Sequence, residues 1–506
     1  MPREWALDDL IPLIERSETT ADSIGFLPPI LRTEQETAPL ARGPWYLTIA
    51  PAYLGIFVWA PFFDALWVGD LTRLPLAWLI ASAVFASLLC FGFLFYIPAS
   101  WGCQSGRPLG ILAASTFGTV GSEWITGIGV GVACIFWYAV AIDYAVDSTL
   151  LGLRSCGLIA AGSLHAWNLG PIVVKCPVYL CTALFWIYIT GTAGLWKLPG
   201  VVVALMRVYA PIALLLLTAV ALGMLPNVGS YSLETATMIV EKTGFTDRWR
   251  GHGSVVQLMT GFFAMAGLAS VDWGATVMRR RDVVLDGLTG IVLTGSWTAI
   301  MSLLVVTGAA AQLQNENTWW WSDDPFRLSF RWAVFYGIGG VPGGAILILF
   351  GLAALAPACY STWVYGQKLS THWPRLGQSG WTWIGGAIAF VLGATSYASQ
   401  IEWTFSVMGD VFAPAVGAIA GDWLRSRGVW PGIRPGVNRS GLVAWGAGFG
   451  VALVLEVDRA YNPGSSPWWQ STAISGFVAA VVVSWVWATL VGERTAAPGI
   501  RHQIRQ

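Results

Sequence analysis

The alternation of apolar and polar stretches is the dominant signal in this sequence. Apolar runs long enough to cross roughly 30 Å of hydrocarbon recur about twelve times, at 45–69, 74–97, 119–147, 169–193, 198–224, 254–278, 284–312, 340–366, 382–398, 402–424, 441–457 and 471–492. They are too continuous to be surface helices, whose apolar residues form only one stripe. The pattern predicts an all-α polytopic membrane protein of about 12 transmembrane helices. Residues 1–42 are polar, lean acidic and contain Pro28 and Pro29. They lack the basic start, apolar middle and cleavage site of a secretory signal. They read as an uncleaved cytoplasmic arm, with a short amphipathic helix around Trp5–Ile14.

Composition agrees with this reading. Of 506 residues, 55% are hydrophobic and only 11% are charged, against about 25% charged in an ordinary soluble domain. The 28 basic and 28 acidic residues cancel, so no global field would attract nucleic acid. Thirty Trp suit aromatic belts at two lipid–water boundaries. Seven Cys, five of them in apolar runs (Cys90, Cys134, Cys176, Cys181, Cys359), show no paired ligand spacing. Neither a disulfide framework nor a metal site is supported. His165, His252, His372 and His502 all fall in predicted loops or tails, which disfavours a histidine proton relay inside the bilayer.

Loop charge predicts the orientation. With the N-terminus inside, cytoplasmic segments hold 18 of the 28 basic residues, including Arg107, Arg279, Arg280, Arg281, Arg425, Arg427, Arg434 and Arg439, and outer segments hold 8. This is the positive-inside bias. An even number of spans then puts both termini in the cytoplasm, for a multi-pass protein of the cell inner (plasma) membrane.

Two spans contain breakers that a simple anchor does not need. The first reads Ala50-Pro-Ala-Tyr-Leu-Gly-Ile-Phe-Val-Trp-Ala-Pro61, and the sixth reads Gly261-Phe-Phe-Ala-Met-Ala-Gly-Leu-Ala-Ser-Val-Asp-Trp-Gly274. Proline removes a helix hydrogen bond and frees a carbonyl in a medium without water. Interruptions in the first and sixth helices are what a five-plus-five inverted repeat places around a midplane site. The predicted organisation is a first repeat at 43–224, an outer loop at 225–253, a second repeat at 254–424, two additional helices at 425–492 and a cytoplasmic tail at 493–506.

Three segments carry a family resemblance. Gly106-Arg-Pro-Leu-Gly110 is followed by Thr116-Phe-Gly118 and Gly121; Trp273-Gly-Ala-Thr276 closes the sixth span; Gly409-Asp-Val-Phe-Ala-Pro-Ala-Val-Gly-Ala-Ile-Ala-Gly-Asp-Trp423 forms the tenth. In this order they resemble the nucleobase–cation symporter family, whose members carry cytosine, uracil, allantoin, hydantoins and related vitamins and belong to the amino acid–polyamine–cation superfamily. The resemblance implies that Trp137 and Trp273 sandwich a flat ring, an interaction worth roughly 1–3 kcal/mol per base. It implies a sodium site at Ala358, Ser361 and Thr362 of the eighth helix, completed by carbonyls of the first, with Ala52 and Gly55 as candidates. The i, i+3, i+4 spacing puts the first three on one helical face, and oxygen ligands suit a small hard cation. Where the family often has a Gln four residues after the third-helix Trp, this chain has Ala141. Tyr144, on the face of Trp137, is the candidate replacement, and Gln367 is the carboxamide near the eighth-helix site.

Ionisable residues at bilayer depth cost about 2.5–3.5 kcal/mol on the insertion scale and usually face the bundle interior. Here they are Asp64, Asp143, Asp147, Lys175, Arg207, Asp272 and Asp410. Asp272, beside Trp273, is the candidate acid for an N–H edge or a proton. The expectation is a secondary transporter importing a small planar nitrogen heterocycle with Na+ or H+. Its partners would be that substrate, a coupling cation and the lipid bilayer; no organic cofactor or nucleic acid is expected. Alternatives are an amino-acid or amine carrier of the same architecture and a membrane-embedded enzyme; no interfacial His, Asp or Glu cluster favours the enzyme.

Overall fold

Without water, every peptide group must find its partner inside the chain, which restricts spanning segments largely to helices. The computed structural model describes residues 31, 42–48, 56–67, 74–160, 167–169, 172–196, 199–232, 248–315, 329–461 and 471–491. Helices account for nearly all of these residues. The first span contributes α1, Ala60–Ala65. There follow α2 (Leu76–Ser105) and α3 (Leu109–Ser155), α4 (Pro177–Leu195), α5 (Pro199–Val228) and α6 (Arg248–Gly274). Next come α7 (Arg280–Leu313) and α8 (Gly340–His372), α9 (Gly377–Ala394), α10 (Ile401–Arg425), α11 (Arg439–Tyr461) and α12 (Thr472–Val491). Between α3 and α4 a small antiparallel hairpin pairs Trp167–Leu169 with Ile172–Val174.

Among the described residues, nine helices are long and apolar enough to span a bilayer, and Thr472–Trp487 is a shorter apolar one. The protein is a polytopic α-helical membrane protein. The expected interruption of the first span is present: Trp59 is extended, at φ −65° and ψ 115°, immediately before α1, which carries Pro61 in its first turn. The sixth span corrects the expectation. It is one continuous helix to Gly274, and the chain leaves it only at 275–279, before α7.

The glycines that suggested a break serve close packing instead. A β-carbon on Gly261 would strike the Phe405 carbonyl of α10, one on Gly267 the Leu94 carbonyl of α2, and one on Gly274 the Ala99 carbonyl. Small residues that let helix backbones approach are a standard membrane packing device. A corresponding glycine contact joins α3 to α8, where Gly152 and Gly344 face each other's carbonyls. Helix α8 divides at Ala354 into Gly340–Ala353 and Leu355–His372. Pro357 accounts for this, because it has no N–H to offer residue 353.

Two segments of the family resemblance meet in a structural lock. Gly118 has φ 78° and ψ 166° and breaks α3 after its first turns. A side chain there would strike the Gly436 carbonyl, and the left-handed φ also requires glycine. The 426–438 segment lies across the break: Thr119 N–H donates to the Arg434 carbonyl at 3.0 Å and Val120 N–H to Gly436 at 2.9 Å. Buried Asp422, at the end of α10, binds Arg425 at 2.5 Å and accepts from Thr116 at 3.2 Å. Arg434 donates to the Ser115 carbonyl at 2.6 Å. This end of the bundle is called the Arg434 face below, and the opposite end the Lys175 face.

Candidate functional site

The interruption at Trp59 turns an indole into the bundle, against α3 and α6. Trp59 and Trp137 stack with centroids 4.9 Å apart and planes 5° from parallel. Phe262 lies 5.1 Å from Trp137 at 19° and 5.8 Å from Trp59 at 18°. Phe57 and Phe62 extend this group along the first span, and Phe405 tilts onto it from α10. Such ring pairs contribute about 0.5–1.5 kcal/mol each beyond burial. The indole Nε1 of Trp59 and that of Trp137 are both buried with no hydrogen-bond partner. An unmet buried donor costs about 1–3 kcal/mol, so two beside each other mark a place that an acceptor would relieve.

Toward the Lys175 face the stack is roofed by charge. Asp143 accepts from Lys175 Nζ at 2.6 Å, from the Tyr179 hydroxyl at 2.5 Å and from the Ser399 hydroxyl at 2.8 Å. Asp147 accepts from Lys175 Nζ at 2.9 Å and lies 3.7 Å from the Arg331 guanidinium. Asp64, on α1, accepts from Arg331 Nε at 2.8 Å and from its main-chain N–H at 2.7 Å. The Arg331 guanidinium also covers the Tyr144 ring at 4.7 Å. Burial pushes the Lys175 ammonium down, but the carboxylates of Asp143 and Asp147 more than offset this and hold it above the ordinary lysine value. Arg331 is likewise raised, by Asp64 and then Asp147, against the effect of burial.

The sequence-derived residues are distributed unevenly around this centre. Trp137 is in the stack and Tyr144 is in the roof. Trp273 is on the same continuous helix as Phe262 but eleven residues further on, about 16 Å along the axis, toward the Arg434 face. The structure therefore does not bring it to Trp137. Asp272 accepts the Leu109 N–H at 2.5 Å, placing negative charge at the N-terminus of α3, where the helix dipole favours it. Gln367 accepts from Ser370 and Thr371 through its main-chain carbonyl, at 2.9 and 2.8 Å. Ala358, Ser361 and Thr362 are all buried on α8. The Thr362 hydroxyl donates to Cys359 at 2.8 Å and faces the Thr190 carbonyl of α4 at 3.3 Å, so it points toward α4. Ala52 and Gly55 lie outside the described residues, as does the side chain of Arg207. Asp410 accepts from Thr472 of α12 at 2.6 Å.

The residues that sequence reasoning passed over are Trp59 and Phe262. Both stand in the two segments singled out for their breakers, Trp59 two residues before Pro61 and Phe262 next to Gly261. What was missing was the rotation of each ring.

Solved structures share the overall fold. A nucleobase-cation-symport-1 family transporter, Mhp1, in a closed conformation with bromovinylhydantoin bound, aligns over 93% of this chain and 98% of its own at 12% identity and TM-score 0.59. The fold is that of the LeuT-type transporters. MhsT in complex with L-phenylalanine aligns over 86% and 97% at 14% identity, TM-score 0.51. A Na+-coupled sialic acid symporter in a substrate-bound outward-open state aligns over 96% and 98% at 12% identity, TM-score 0.50. No protein-family model matches the sequence, and no curated protein matches it.

Proposed function

We propose that this protein is a secondary active transporter that imports a small planar nitrogen heterocycle by alternating access, coupled to Na+ or H+. A nucleobase, allantoin, a hydantoin or a related compound fits the reading. The observation that carries it is the pair of unpartnered indole N–H groups on the near-parallel faces of Trp59 and Trp137. A flat ring bearing carbonyls would stack on the indole of one and accept, through its edge, from the N–H of the other. The chemistry is neutral: the rings around this pair are Phe262 and Phe405. The carboxylates of α1 and α3 are already engaged by Lys175 and Arg331. The ammonium of an amine or amino-acid substrate has no acceptor to offer the two indole N–H groups, which makes it the weaker alternative. The Mhp1 likeness supports the substrate class, and the sodium-coupled neighbour supports ion coupling. The loop charges support placing the Arg434 face in the cytoplasm.

Thermal stability of the detergent-solubilised protein tests this with uracil, cytosine, allantoin, hydantoin, phenylalanine and phenethylamine, each with and without Na+. One of the heterocycles should stabilise the wild type, and Trp137→Ala should weaken its binding by about 1–3 kcal/mol. Stabilisation by the amines alone, or by no compound, would overturn the reading.

A further inference from the structure

The roof over the aromatic stack is unbalanced. Among the described residues it brings together Asp64 from α1, Asp143 and Asp147 from α3, and only two cations, Lys175 before α4 and Arg331 before α8. The remaining titratable groups facing it are Tyr144 of α3, Tyr179 of α4 and Tyr209 of α5. Ser399, before α10, contributes a hydroxyl to Asp143. None of these adds a positive charge, so the described residues of the cluster carry a net charge of about one negative when all three carboxylates are ionised.

The three acids are not equivalent. Asp143 is satisfied by an ammonium and two hydroxyls, and Asp64 by two N–H groups of one arginine. Asp147 shares Lys175 with Asp143 and meets Arg331 only at 3.7 Å. Its side chain is 32% exposed, against 3% for Asp143 and 2% for Asp64, which gives a proton a route to it. Tyr144, beneath the Arg331 guanidinium, is buried, and its hydroxyl has only the Ser148 hydroxyl beside it, short of a well-formed hydrogen bond, so the roof also holds a poorly met polar group.

Burying an uncompensated charge costs several kcal/mol, and a proton removes that cost. We infer that the cluster is a proton-binding site: closing the Lys175 face draws three carboxylates around two cations, and Asp147 takes up the proton that balances them. The roof joins α1 to α3 through Arg331 and α3 to α4 through Lys175, so proton uptake and closure are one linked equilibrium. This rests on the alternating-access reading above and makes the coupling ion a proton, bound from the Lys175 face.

The buried thiol of Cys176 follows Lys175 in the chain and is 4% exposed, so it reports closure without any substrate. N-ethylmaleimide labelling of Cys176 is read by peptide mass spectrometry on the intact, ligand-free protein in Na+-free buffer from pH 8 to pH 5. Each point is normalised to the SDS-denatured chain at the same pH. Normalised labelling of the wild type should fall severalfold with acid, by at most tenfold per pH unit for one proton. Asp147→Asn, already neutral, should stay low throughout. Ser399→Ala keeps the charge count and should keep the pH dependence. Wild-type labelling that is flat or rises with acid would overturn the inference, as would persistence of the pH dependence in Asp147→Asn. The wild-type titration needs no variant to fold. Failure here would leave the heterocycle reading intact, because that reading is tested by ligand stabilisation alone.

Discussion

Replacing Arg331 by Met isolates the tie between α1 and the segment before α8. Arg331 is 16% exposed and its partner Asp64 only 2%, so the substitution leaves a buried carboxylate without its counter-charge. Breaking a buried pair from one side costs about 3–5 kcal/mol. Asp64 keeps the main-chain N–H of residue 331, now at 2.7 Å, which places the expected loss at the lower end, about 3 kcal/mol. That is a change of more than a hundredfold in the folded-to-unfolded ratio. Adding Asp64→Asn removes the stranded charge while retaining an oxygen for the same N–H. The double variant should return to within about 1 kcal/mol of the wild type, giving a coupling of at least about 2 kcal/mol, larger by whatever Asp64→Asn costs alone. Circular dichroism in mixed micelles of increasing SDS fraction measures all four corners of the cycle. A single variant costing under about 1 kcal/mol would refute the reasoning, as would a double variant no better than the single: the pair would then be solvated, and the roof would not be a closure.

Two further outcomes test the packing and the charge. Gly274→Ala would set a methyl group against the Ala99 carbonyl and should cost about 1–3 kcal/mol by overpacking, whereas Gly223→Ala, with open space around it, should be neutral or slightly stabilising; the same mixed-micelle unfolding distinguishes them. Lys175→Met should cost about 3–5 kcal/mol by stranding Asp143. A lysine held above its ordinary value contributes fully below about pH 10.4 and loses its contribution only as pH rises past the raised value. The cost should therefore not shrink between pH 7 and pH 9, and a cost that shrinks by pH 9 would contradict the raised ammonium.

The lengths of the apolar runs determined the number and order of the helices, because a bilayer admits few alternatives to a helix of about 20 residues. Pro61 announced the break at Trp59, since a missing N–H acts locally. Gly261, Gly267 and Gly274 were legible as special positions but not as to purpose: a glycine weakens a helix and also lets another backbone approach, and only the presence of Phe405, Leu94 and Ala99 decides which. The family likeness pointed to Trp137 and singled out the segments that hold Gly118 and Asp422, but not the contact between them. It could not place Trp273, because a continuous α6 sets that residue about 16 Å along the helix axis from Phe262. The roof was visible as individual charges that lipid would not tolerate. Which acid meets which base depends on α1, α3, α4 and the segment before α8 converging at one face, and residues from 64 to 331 come together there only through tertiary packing.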